Sequence, residues 1–278
     1  MGFVIDKQGN YLPVFGETTG GGSGTSNHAS LSNLDYAHSG HTGFMSNANY
    51  IQAGKLFEVK LDGSGDFTKL SDAIAYLDGK WSDGRVIIHL GEGTFTESAN
   101  IEIGHYVYFN IPRIDIYGEG EAKTKLSFTS NQVSPCFSVW GPGTYVVLGN
   151  ITIEQSGGSK STDYRGICAY NFGNLTVYNL TTEGCNYALN AIAGGKVAVN
   201  APITIKNCSL GFGAEGGLVQ CMYGMTMNFN NVDYAFFVLG GGIMQLNRPT
   251  YNGTSVTYKT NITPGTSATE GLITGITA

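Results

Sequence analysis

From about Phe57 the chain alternates apolar and polar residues in short runs. Phe57-Glu58-Val59-Lys60-Leu61 has the two-residue period of a half-buried strand, and Asp62-Gly63-Ser64-Gly65-Asp66 turns it. Leu70-Ser71-Asp72-Ala73-Ile74-Ala75-Tyr76-Leu77 spaces its apolar residues as a helix does, and Arg85-Val86-Ile87-Ile88-His89-Leu90 reads as a buried strand. Beyond Ile114 only strand-like units recur, each an alternation, a turn at or near asparagine, and a second alternation. Val146–Ile153, Leu175–Thr181, Val197–Ile205 and Met225–Val232 are the instances. Turns at Asn150, Asn179, Ala201, Asn230 and Arg248 lie 29, 22, 29 and 18 residues apart, within the length of a solenoid repeat. One helix followed only by strands is the entry to such a solenoid, because an uncapped first coil exposes strand edges and core. Asparagine tolerates the left-handed backbone that a sharp corner needs. Its amide can also bond its counterpart one coil away, so a ladder is expected at Asn150 and Asn179.

The first 54 residues differ in texture. They are polar, and Thr18-Thr19-Gly20-Gly21-Gly22-Ser23-Gly24-Thr25-Ser26 is a linker by composition. The stretch from Asn27 to Phe44 has too few apolar residues to bury a core alone and is expected to self-associate. Three parts follow: an attachment segment with its linker at 1–26, a collar at 27–55, and a β domain at 56–278.

Composition narrows the partners. With 41 glycines, 16 tyrosines, 14 phenylalanines and 13% charged residues, the 278-residue chain suits many short strands joined by turns. A net charge of −6 supplies no basic stripe to displace counterions from phosphates, so no nucleic acid is expected. No run of 18 apolar residues and no basic-then-apolar leader occurs, so neither membrane insertion nor export is expected. The five cysteines, Cys136, Cys168, Cys185, Cys208 and Cys221, are odd in number and lack Cys-x-x-Cys spacing. They read as reduced, buried small apolar residues, and no cofactor is expected.

Two resemblances add to this. Val59 to Ile74, Ile87 to Phe95 and Ile114-Asp115-Ile116-Tyr117-Gly118-Glu119-Gly120 resemble the opening coils of pectin-lyase-like proteins, pectinesterases in particular. That implies an all-β, right-handed, single-stranded parallel β-helix with one N-terminal capping α-helix. His28 to Phe44 is similar to the histidine- and glycine-punctuated stretches that precede the receptor-binding part of bacteriophage tail fibres and tailspikes. Joined to a β-helix, it implies a virion tail protein. Such a protein is a homotrimer, docks on other tail proteins through its N-terminal segment, and touches a host-cell surface glycan.

The alternative is a carbohydrate-active enzyme, a polysaccharide depolymerase or an esterase. Pectinesterase chemistry needs a nucleophilic aspartate, an acid aspartate, an oxyanion-stabilising glutamine and an arginine. Val232-Asp233-Tyr234-Ala235-Phe236 is similar to the family's nucleophile strand and Leu246-Asn247-Arg248-Pro249 to its arginine strand, so Asp233 and Arg248 are the catalytic candidates. The acid aspartate has no equivalent near Val219-Gln220-Cys221-Met222-Tyr223, and the Asp-Asp pair of a glycosidase site does not occur. For glycan binding the candidates are Tyr145, Tyr164, Tyr170, Tyr223 and Tyr234, whose rings and hydroxyls suit sugar faces. His38 and His41 are candidate metal ligands on a trimer axis, with polar turn residues as the plainer reading.

Overall fold

The computed structural model describes residues 2–5, 11–14, 49–104, 110–129, 135–143, 145–156, 164–260 and 271–274, with backbone alone at 2–5, 11–14, 255, 257–260, 271 and 272. Two compact units divide at Ser46 and Asn47. In the first, strands β1 (Gly2–Ile5) and β2 (Tyr11–Val14) pair antiparallel. The linker and the histidine-bearing stretch with His38 and His41 lie outside the described residues. The second unit reaches back past the expected boundary at 56, because Tyr50 bridges Trp81 and the Ile51 side chain is already in the core.

That second unit is a parallel β-helix of about seven turns. It opens with β3 (Leu56–Val59) and α1 (Leu70–Tyr76), the one α-helix among the described residues. The first coil is β4 (Arg85–Leu90), β5 (Gly93–Glu97) and β6 (Ile101–Ile103), and the second is β7 (Arg113–Gly118), β8 (Thr124–Phe128) and β9 (Phe137–Trp140). Coils three and four run the first two faces together, as β10 (Tyr145–Gln155) with β11 (Arg165–Tyr170), then β12 (Asn174–Glu183) with β13 (Tyr187–Ile192). Coils five to seven instead run the second and third faces together. They comprise β14 (Lys196–Val199) with β15 (Ile203–Glu215), β16 (Leu218–Cys221) with β17 (Thr226–Leu239), and β18 (Gly242–Leu246) with β19 (Thr250–Thr260). β20 (Gly271–Thr274) adds one more strand to the first face.

Within the β-helix every named strand pair is parallel, each strand bonding its equivalent in the next coil. A parallel crossover returns with right-handed winding, which is the hand the sequence implies. Three faces enclose one core, and the two-residue period puts like side chains on top of one another. Ile88, Ile116, Leu148, Val177, Val199, Cys221 and Leu246 form one such inward column, all with no exposed surface. Phe212 stacks on Phe236 at 5.8 Å, with Phe229 edge-on to both. At the N-terminal end α1 buries Leu70, Ala73 and Ile74 over this core.

The corners explain which faces fuse. Between first and second faces, Asn150 (φ 54°) and Asn179 (φ 43°) take the left-handed backbone, and Asn179 Nδ2 donates to Asn150 Oδ1 at 3.0 Å. From the fifth coil the asparagines move to the next corner, where Asn207 (φ 53°) and Asn231 (φ 59°) repeat the ladder at 2.8 Å. Of the turn positions read from the sequence, Asn150, Asn179 and Arg248 (φ 48°) are left-handed, whereas Ala201 and Asn230 are not. The third corner, where the chain returns to the first face, is built on glycine instead. A Cβ on Gly173, Gly195 or Gly242 would lie 2.2, 2.0 or 2.0 Å from a carbonyl oxygen of the coil before.

Candidate functional site

Outward side chains of a β-helix stack as closely as inward ones, so any site is a set of adjacent rungs. On the first face these rungs close on themselves. Arg113 donates twice to Asp115, at 2.6 and 3.0 Å, and Arg85 stands 3.6 Å from the same carboxylate. His89 lies between two carboxylates, Nδ1 3.0 Å from Glu58 and Nε2 3.1 Å from Glu119. Tyr145 donates its hydroxyl to Thr176 at 2.7 Å. Charges and hydroxyls here satisfy one another along the helix axis, an arrangement that holds coils in register.

The third face differs. Inward alternation over β11 and β13 puts Ile167, Ala169, Leu189 and Ala191 in the core, which turns the residues between them outward. One outward row runs Ser138, Cys168, Asn190, Gly213, Phe237 across five coils. Arg165, Tyr187, Leu210 and Tyr234 flank it on one side, and Trp140 and Tyr170 on the other. Cys168 and Asn190 have no exposed surface although they point away from the core, because these flanking side chains cover them.

The cover is polar and aromatic at once. Trp140 stacks on Tyr170 at 4.2 Å and 11°, and donates its indole N–H to Ser138 Oγ at 2.8 Å. The Arg165 guanidinium lies over the Tyr187 ring at 4.8 Å and donates to the Tyr170 hydroxyl at 3.4 Å. Asn190 Nδ2 donates to Glu215 Oε1 at 2.6 Å, and Glu215 Oε2 stands 3.9 Å from Arg165 Nη2. The Asn190 Oδ1 acceptor is buried and has no partner. Room for that amide exists because the next rung is Gly213, where a Cβ would come within 2.7 Å of Oδ1. Burial pushes the Cys168 thiol up to about 12, and burial likewise raises the Tyr170 hydroxyl. Cys168 is therefore a packed thiol and no nucleophile.

The candidates read from the sequence separate on this frame. Tyr170 and Tyr234 lie on the third face, and Tyr164 directly precedes it, its carbonyl accepting from the Asn186 amide at 2.6 Å. Tyr145 belongs to the first face, and Tyr223, 74% exposed, to the first corner. Asp233 is half-buried at the start of the third-face part of β17, whereas Arg248 is exposed on the first corner. The second-face strand separates these two corners. Sequence reasoning missed Trp140, Arg165, Tyr187, Asn190 and Glu215, which gather only through coil register. The one local signal was Phe137-Ser138-Val139-Trp140, whose alternation turns its tryptophan outward. Among the described residues no group of three or more His, Cys, Asp or Glu is placed to hold a metal ion, and no helix is long and apolar enough to cross a membrane.

No protein-family model matches the chain, and none of the curated proteins matches it. Among solved structures, a pectin methylesterase from carrot is similar over 76% of this chain and 89% of that one, at 13% identity and a TM-score of 0.41. The strand register by itself defines the β-helix.

Proposed function

We propose that this chain is a phage tail fibre or tailspike protein whose β-helix binds a host-cell surface glycan. The observation that carries the reading is the outer third face, where Trp140, Tyr170, Tyr187, Arg165 and Glu215, the last held by buried Asn190, form a packed surface of rings and hydrogen-bonding groups. Sugars are bound by that pairing of apolar ring faces with fixed polar groups. On this reading the chain works as a homotrimer in the virion tail, and the segment before the β-helix docks on other tail proteins. The resemblance of His28 to Phe44 to tail-fibre sequences supports that part.

The test exposes the purified chain to a panel of bacterial surface polysaccharides, reading both retained protein and new reducing ends. Retention without new reducing ends is expected. New reducing ends would favour a depolymerase, and failure of every polysaccharide to retain the chain would contradict the proposal.

A further inference from the structure

Resting on the glycan-binding reading, we infer that the Arg165, Asn190 and Glu215 cluster is a subsite for a neutral sugar, recognised through a hydroxyl group, and that it rejects carboxylated sugars. The geometry turns on one gap. Glu215 Oε2 and Arg165 Nη2 stand 3.9 Å apart, too far for a hydrogen bond. Their side chains are 19% and 22% exposed, so both stay partly in contact with solvent. An oxygen set between them at ordinary hydrogen-bond distance must donate to the carboxylate and accept from the guanidinium. A hydroxyl does both, whereas a carboxylate only accepts and would meet Glu215 as a like charge.

The surroundings fix the two partners. Asn190, fully buried, holds Glu215 Oε1 at 2.6 Å and so acts as a positioning residue. Tyr187 lies under the guanidinium, and the Tyr170 hydroxyl accepts from its other amino group. Phe237 meets Tyr187 edge-on at 6.4 Å, adding apolar surface for the C–H face of a ring.

Isothermal titration of the full chain tests this, with neutral oligosaccharides of glucose, galactose, mannose and rhamnose as probes beside oligogalacturonate. A neutral probe is expected to bind and oligogalacturonate to give no heat. Glu215→Gln should weaken the neutral probe about tenfold, the scale of one charged hydrogen bond. Tyr170→Phe, which removes only the hydroxyl that steadies Arg165, should weaken it several-fold and keeps the test alive if Glu215→Gln fails to fold. Equal binding of oligogalacturonate overturns the inference and leaves the glycan-binding reading standing. Neutral binding that folded variants leave unchanged places the sugar elsewhere and also overturns it. No binding by any probe on this panel or any surface polysaccharide overturns both.

Discussion

Backbone conformation at single corner residues sets how the coils stack. Asn179 combines a φ of 43° with an amide bonded to Asn150, so the two effects separate by substitution. Asn179→Ala keeps neither and is expected to cost about 1–2 kcal/mol, whereas Asn179→Gly keeps the backbone and should cost less; urea denaturation of both variants reads the difference. At the glycine corner the constraint is space. Gly195→Ala would put a methyl 2.0 Å from the Ala169 carbonyl oxygen, and a loss of about 1–3 kcal/mol is expected in the same assay. Buried thiols give a pH signature. The unfolded Cys168 thiol ionises from about pH 8.5, while the folded one holds its proton up to about 12. Unfolding therefore releases a proton in that window, and stability should fall as pH rises through it. Melting temperatures that stay flat from pH 8 to 11 would contradict this.

At the scale of elements, the helix shows how distant chain segments complete one another. α1 has Lys69 at its N-cap position, with no side-chain cap of its own. Glu97 from β5 supplies one instead, its Oε1 accepting from the Leu70 and Ser71 amides at 2.9 and 3.3 Å. Glu97→Ala should lower stability by about 1–3 kcal/mol in urea denaturation, and Glu97→Gln, which keeps the acceptor, by less. The strand Arg85–Leu90 and the helix from Leu70 were legible because periodicity and burial are local. The asparagine ladder was legible at Asn150 and Asn179 because each follows an alternating run at a turn, one repeat apart. The uneven turn spacing arose because Asn230 lies at a different corner from Ala201 and Arg248; Asn207, Asn231 and the glycines of the third corner keep the later coils regular. The outer site was not legible. Its members come from β9, β11, β13 and β15, and nothing local shows that Cys168 and Asn190 face outward yet lie covered.

For the whole molecule, the tail-protein reading makes the functional unit a trimer. Analytical ultracentrifugation is expected to give a mass near three times 29.5 kDa, and a monomer would count against it. On the proposed reading the third face is the glycan surface, and it carries its own reporter. The chain holds two tryptophans, Trp81 and Trp140, and Trp140 lies on that face against Tyr170. In a Trp81→Phe variant, titration with the neutral oligosaccharide that binds in calorimetry should change Trp140 emission in a saturable way, with the same midpoint as the heat. Calorimetric binding that leaves Trp140 emission unchanged would place the glycan on another face and contradict the account.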